Sequence, residues 1–186
     1  MTDASAGVLV LLAEGAEEME VTIIVDVLRR GGLSVTLAGT AGPEPVRCSR
    51  GLVLVPDIGL DSVVGEFEMV VLPGGIGGTE HLAASEAVGE LLRKQRTAGR
   101  EIAAICAAPM ALARHGIDAG LAMTCHPSVA EEVGNHGALT QGRVVRSPGL
   151  TTSMGPGTAF EFALALVARL RGEQAAAEVR APMILD

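Results

Sequence analysis

The chain has no tryptophan, no tyrosine and only three phenylalanines in 186 residues. Its core must therefore be built from Val, Leu, Ile, Ala and Met, and it lacks an aromatic platform on which bases could stack. Basic clusters are missing too: net charge is −8, and no element carries a row of Lys or Arg. That argues against a nucleic-acid or acidic-membrane partner. The longest apolar runs are strand-sized, too short for a bilayer span. Three scattered cysteines make no disulfide framework, so a reducing, cytoplasmic compartment is expected. Met1-Thr2-Asp3-Ala4-Ser5 lacks the basic start of a secretory leader. Without repeats, linkers or low-complexity tracts, residues 1–186 read as one domain.

Present instead are apolar runs alternating with helical segments. Val8-Leu9-Val10-Leu11-Leu12 has the continuous hydrophobicity of a buried parallel strand. A helix from about Glu17 to Arg30 ends at Gly31-Gly32, and a strand over 34–39 completes a β-α-β unit. A short hairpin is expected over 46–55, turning at Arg50-Gly51. Further core strands are expected over 69–72, 102–105 and 121–124, with weaker ones near 143–147 and 150–152. Helices are expected over 85–98, after Cys106, around 128–132, from 158 to 170 and around 174–179. Such alternation predicts an α/β three-layer sandwich with a mostly parallel sheet.

Sites in such sheets form beyond the carboxyl ends of the strands. Glu20, Gly74-Gly75, Cys106 and His126 each follow a predicted strand. Cys106 sits at a strand-to-helix junction, where unpaired amides and the helix dipole favour thiolate, the nucleophilic form. Ala104 and Ala108 are small enough for the tight turn of a nucleophile elbow. The plain alternative is a small buried apolar residue.

Pro73-Gly74-Gly75-Ile76-Gly77-Gly78 reads as a glycine-rich turn without P-loop or dinucleotide-binding spacing. The amides of Gly75 and Ala107 could face an oxyanion, or the glycines could simply satisfy positive φ. Glu17, Glu18 and Glu20 crowd a helix start, where solvated capping is the ordinary role. Glu20 turned inward would share a site with a thiolate, hold a proton and exchange it with substrate. His126, in Cys125-His126-Pro127, is a candidate general base or a backbone-bonded loop histidine. His81, His115 and His136 read as surface or loop residues. Zinc on Cys106, Cys125 and His126 would lack paired ligand spacing, so no metal is expected. Met19, Val21, Ile23, Ile24, Val25, Val27 and Leu28 exceed one helical face, so the extra surface is either covered by another part of the chain or buried in a subunit contact, a symmetric dimer being the economical reading.

Several stretches resemble the ThiJ/PfpI superfamily: 13–20, 25–30, 46–50, Val71-Leu72-Pro73-Gly74-Gly75, Ala103-Ala104-Ile105-Cys106-Ala107-Ala108-Pro109, 155–164 and the terminal 181–185. The resemblance covers nearly the whole chain. It implies a flavodoxin-like sandwich, a homodimer, a reactive Cys106 with Glu20 as carboxylic partner, oxyanion amides at Gly75 and Ala107, and His126 in the site. It implies cofactor-independent glyoxalase activity on methylglyoxal and glyoxal, and removal of early adducts from Cys, Lys and Arg of glycated proteins. Redox sensing through Cys106 oxidation, with Cys48 as a second modifiable thiol, and a redox-dependent chaperone role are further family attributes. So are nuclear and mitochondrial locations besides the cytoplasm. The chain departs from its relatives at Val55 (a cysteine in them), Cys125 (threonine), Ala130 (lysine) and Met154, where an arginine pairs with the acid at Asp26. A Cys–His peptidase or amidotransferase is the third, weaker reading.

Overall fold

The computed structural model describes residues 7–185, so the leader expectation on Met1–Ser5 lies outside the described residues. Strand β1 (Val8–Leu12), helix α1 (Glu18–Arg30) and β2 (Val35–Gly39) form the expected β-α-β unit. Next come the antiparallel hairpin β3 (Val46–Arg47) and β4 (Val53–Leu54), then β5 (Ile58–Gly59) and β6 (Met69–Leu72). Helices α2 (Ile76–Ala84) and α3 (Glu86–Thr97) lead to β7 (Glu101–Ile105) and the short α4 (Pro109–Arg114). Beyond them lie β8 (Ala122–Met123), α5 (Ala130–Gly134), β9 (Ala138–Leu139), β10 (Val144–Ser147) and β11 (Leu150–Ser153). Helices α6 (Ala159–Arg171) and α7 (Glu173–Arg180) close the chain.

The main sheet has seven strands in the order β10-β11-β7-β6-β1-β2-β5, parallel except at the β10–β11 edge. This is the flavodoxin-like α/β sandwich. β1 connects outward to β2 and β6 outward to β7, in opposite directions. Right-handed crossovers therefore put α1 on one face and α2 and α3 on the other. The order reverses between β1 and β6, and a crevice opens beyond their carboxyl ends. β1, β6 and all but the first residue of β7 are buried throughout, as their unbroken apolar runs require.

Two expectations fail. Only residues 73–75 of the glycine-rich stretch form a turn, because α2 begins at Ile76 and takes in Gly77 and Gly78. A Cβ on Gly78 would stand 2.7 Å from the Ala16 Cα, so the helix reaches its place only with glycine there. The strand expected over 121–124 is not in the central sheet; β8 pairs with β9 in a separate two-stranded ribbon. Among the described residues, no helix is long and apolar enough to cross a membrane.

Candidate functional site

Cys106 leaves the end of β7 with φ of 64°, an uncommon conformation for a residue with a Cβ. The elbow costs about 1–2 kcal/mol and is held by its neighbours. The Cys106 amide donates to the Ser153 carbonyl at 2.9 Å, and its carbonyl accepts the His126 amide at 2.8 Å. Gly74 crowds its back: a Cβ there would stand 2.6 Å from the Cys106 Cβ and 2.9 Å from Oε2 of Glu20. The thiol is 8% exposed, into a cavity of about 630 Å³. Glu17, Cys48, Ser49, Gly75, Ile76, His126 and Ser128 are among its walls.

Glu20 is fully buried on α1. Its Oε2 accepts the Gly74 amide at 2.7 Å, Oε1 has no hydrogen-bond partner, and the Cys106 thiol lies beside the carboxyl. Burial, outweighing the Gly74 and Cys106 hydrogen bonds and helped by the charge of Glu17, pushes the Glu20 carboxyl up to about 7. A buried carboxylate oxygen without a donor is costly, whereas a carboxyl O–H beside sulfur is satisfied.

The thiol itself departs from expectation. Burial first, then the charge of Glu20, pushes Cys106 up to about 12, against the amides of Gly75 and Ala107. The helix dipole gives little help because α4 has six residues and starts three positions later. Glu20 and Cys106 therefore lose their protons as a pair, the first near 7 and the second near 12. Between those steps they hold one proton. Moving it from sulfur to the Glu20 carboxyl creates a thiolate already facing the Gly75 and Ala107 amides.

The other acids are not solvated caps. Glu17 and Glu18 are buried, and the Ser49 hydroxyl lies 2.8 Å from a carboxylate oxygen of each. Glu18 also accepts the amides of Arg50 and Leu52. Burial alone would raise Glu18, but these bonds outweigh it and hold it below its ordinary value. The hairpin is thereby tied to the start of α1.

His126 reaches the cavity from the segment after β8 rather than from a central strand. Its Nδ1 accepts the Ser128 amide at 3.2 Å and lies 2.8 Å from the Ser128 hydroxyl. The neutral ring then carries its hydrogen on Nε2, a donor rather than a base. Among the described residues only the backbone bond joins His126 to Cys106, with no hydrogen bond between their side chains, so the Cys–His dyad is not formed here. Cys48, 5% exposed, is pushed up to about 11 by burial and by Glu18, Glu14 and Glu17. Burial takes Cys125 to about 11 as well. Asp26, which has Met154 in place of the relatives' arginine, pairs with Arg30 at 2.6 Å. Among the described residues, no three His, Cys, Asp or Glu side chains are grouped to hold a metal.

The sequence reading missed Ser49, Ser128 and Ser153. Their contribution is through contacts between distant segments, for which no local signal exists.

The model of the DJ-1/PfpI family matches residues 6–169. The chain belongs to this family. The zebrafish (Danio rerio) Parkinson disease protein 7 homolog is 48% identical over 181 residues, covering 95% of this chain and 96% of the relative. The glutathione-independent glyoxalase DJR-1.2 of Caenorhabditis elegans is 41% identical over 100% of this chain and 99% of its own. The crystal structure of Drosophila melanogaster DJ-1beta matches with a TM-score of 0.96 at 46% identity, covering 98% of this chain and 99% of that one. Family, fold and a cavity-facing buried cysteine together give the chain catalytic potential.

Proposed function

We propose that the chain is a cofactor-independent glyoxalase and deglycase for small dicarbonyls, such as methylglyoxal and glyoxal, and their early adducts on Cys, Lys and Arg. The observation that carries this reading is the Cys106 thiol lining the cavity beside the fully buried Glu20 carboxyl. The C. elegans relative, named a glutathione-independent glyoxalase, supports it.

Cys106 passes its proton to Glu20 and attacks the aldehyde carbon of methylglyoxal, forming the C–S bond. The oxyanion takes a proton from Glu20 to give a hemithioacetal, with the Gly75 and Ala107 amides shifting from sulfur toward that oxygen. Glu20, now a carboxylate, removes the hydrogen from that carbon and returns a proton to its neighbour through an enediol. The lactyl thioester is hydrolysed by water, releasing lactate and the thiol. His126 donates through Nε2 to the substrate's second oxygen.

A homodimer is part of the proposal. Met19, Leu52, Val53 and Val55 are exposed near the hairpin anchored to α1, an apolar patch suited to a second copy. Three free thiols suit a reducing compartment such as the cytoplasm.

Redox sensing is the second reading, favoured by a sulfur open to the cavity with Glu20 placed to hydrogen-bond sulfinate oxygens. Turnover separates them: Cys106→Ser is expected to fold and to lose lactate formation from methylglyoxal. Undiminished lactate in that variant would refute the glyoxalase.

A further inference from the structure

A second cavity of about 500 Å³ adjoins the catalytic one, and Ile76 and Ser128 line both. Its walls carry three carboxylates, Glu80, Glu131 and Glu132, and one guanidinium, Arg114. Arg114 does not offer its charge to a ligand. Its Nε meets Glu132 at 2.8 Å and its Nη1 meets Glu80 at 2.8 Å. Those hydrogen bonds, with Glu132 the stronger cause, hold Arg114 above its usual range, and Arg114 holds Glu132 below its own. One cation among three anions leaves the hollow negative, and exposed Glu131 makes no ion pair among the described residues. Met110 and Val129 supply apolar wall beneath the charges.

We infer that this hollow is a subsite for a cationic side chain flanking the group that reacts at Cys106, so that adducts carried beside a lysine or arginine are favoured over neutral ones. The inference rests on the proposed site but not on its chemistry. A free dicarbonyl fills only the first cavity. A peptide adduct crosses the Ile76–Ser128 ridge, and the methylenes of a lysine lie on Met110 and Val129 while its ammonium meets Glu131.

Affinity labelling reads the subsite without turnover. Cys106 is alkylated with two iodoacetyl dipeptide amides, Ala-Lys and Ala-Ala, at low ionic strength. The lysine peptide is expected to react about two- to fivefold faster, the effect of one exposed charge pair. The ratio should fall to about one in Glu131→Lys and in high salt. Glu178→Lys, the same charge change on α7 away from this hollow, should keep the wild-type ratio. Equal rates in the wild type, or equal loss of preference in both variants, would overturn the subsite. Failure of the glyoxalase reading would appear separately, as no lactate from methylglyoxal while the labelling ratio stands.

Discussion

The Glu20 carboxyl accepts the Gly74 amide at 2.7 Å through Oε2 and lies beside the Cys106 thiol, with Oε1 left unpartnered. In the proposed mechanism that arrangement makes the acid a proton store and not an ordinary ion-pairing group. It also ties Cys106 to β6 through Gly74 and to α1 through Glu20, so the elbow, the crevice and the acid are set by one packing arrangement.

Stability should depend on pH through Glu20. Its carboxyl sits at about 7 in the fold, against 4.5 as the ordinary value. A raised acid contributes stability that is whole below the unfolded value and lost as pH rises through the folded one. The loss is about 3 kcal/mol for a shift of this size. Glu20→Gln removes the ionisation, so urea unfolding of the variant should change little between pH 4 and pH 8 while the wild type weakens. Parallel curves would count against a protonated Glu20.

Gly75 takes φ of 84°, and a Cβ there would stand 2.5 Å from the Gly15 carbonyl oxygen and 2.6 Å from the Glu17 nitrogen. Gly75→Ala must move the backbone that aims an amide at sulfur. A loss of at least about 2 kcal/mol is expected, together with slower Cys106 alkylation. A variant equal to wild type in both would show that the loop is not fixed.

With Nδ1 committed to Ser128, His126 acts as a donor. His126→Ala should lower methylglyoxal turnover by about tenfold and leave Cys106 alkylation unchanged. A fall of at least about a hundredfold in turnover would restore it as a general base.

Met19 is 54% exposed and Val53 51% exposed. Placing charge on both, as Met19→Lys with Val53→Glu, should yield monomers by sedimentation, against the dimer expected of the wild type. Dimers persisting in that variant would move the interface elsewhere.

Much of the fold was legible because β1, β6 and β7 are unbroken apolar runs punctuated by Gly and Pro. Cys106 stood out for the same reason, as the residue that ends such a run. Helix α2 was hidden by Gly77 and Gly78, both poor helix formers, of which Gly78 is required by its close approach to Ala16. β8 looked like a core strand because local hydrophobicity does not say which sheet a strand joins. Burial of Glu17 and Glu18 depends on Ser49 and the hairpin amides, partners some thirty residues away. The same limit hid the height of the Cys106 pKa: position suggested activation by a helix, while burial and Glu20 decide it.

The rate of Cys106 alkylation against pH, followed by mass spectrometry of intact protein, tests the shared proton most directly. The wild type should gain reactivity with a midpoint near 7, where the pair loses its first proton, and that step should vanish in Glu20→Gln. A single midpoint at the free-thiol value of about 8.5, or the same step near 7 in both proteins, would contradict it.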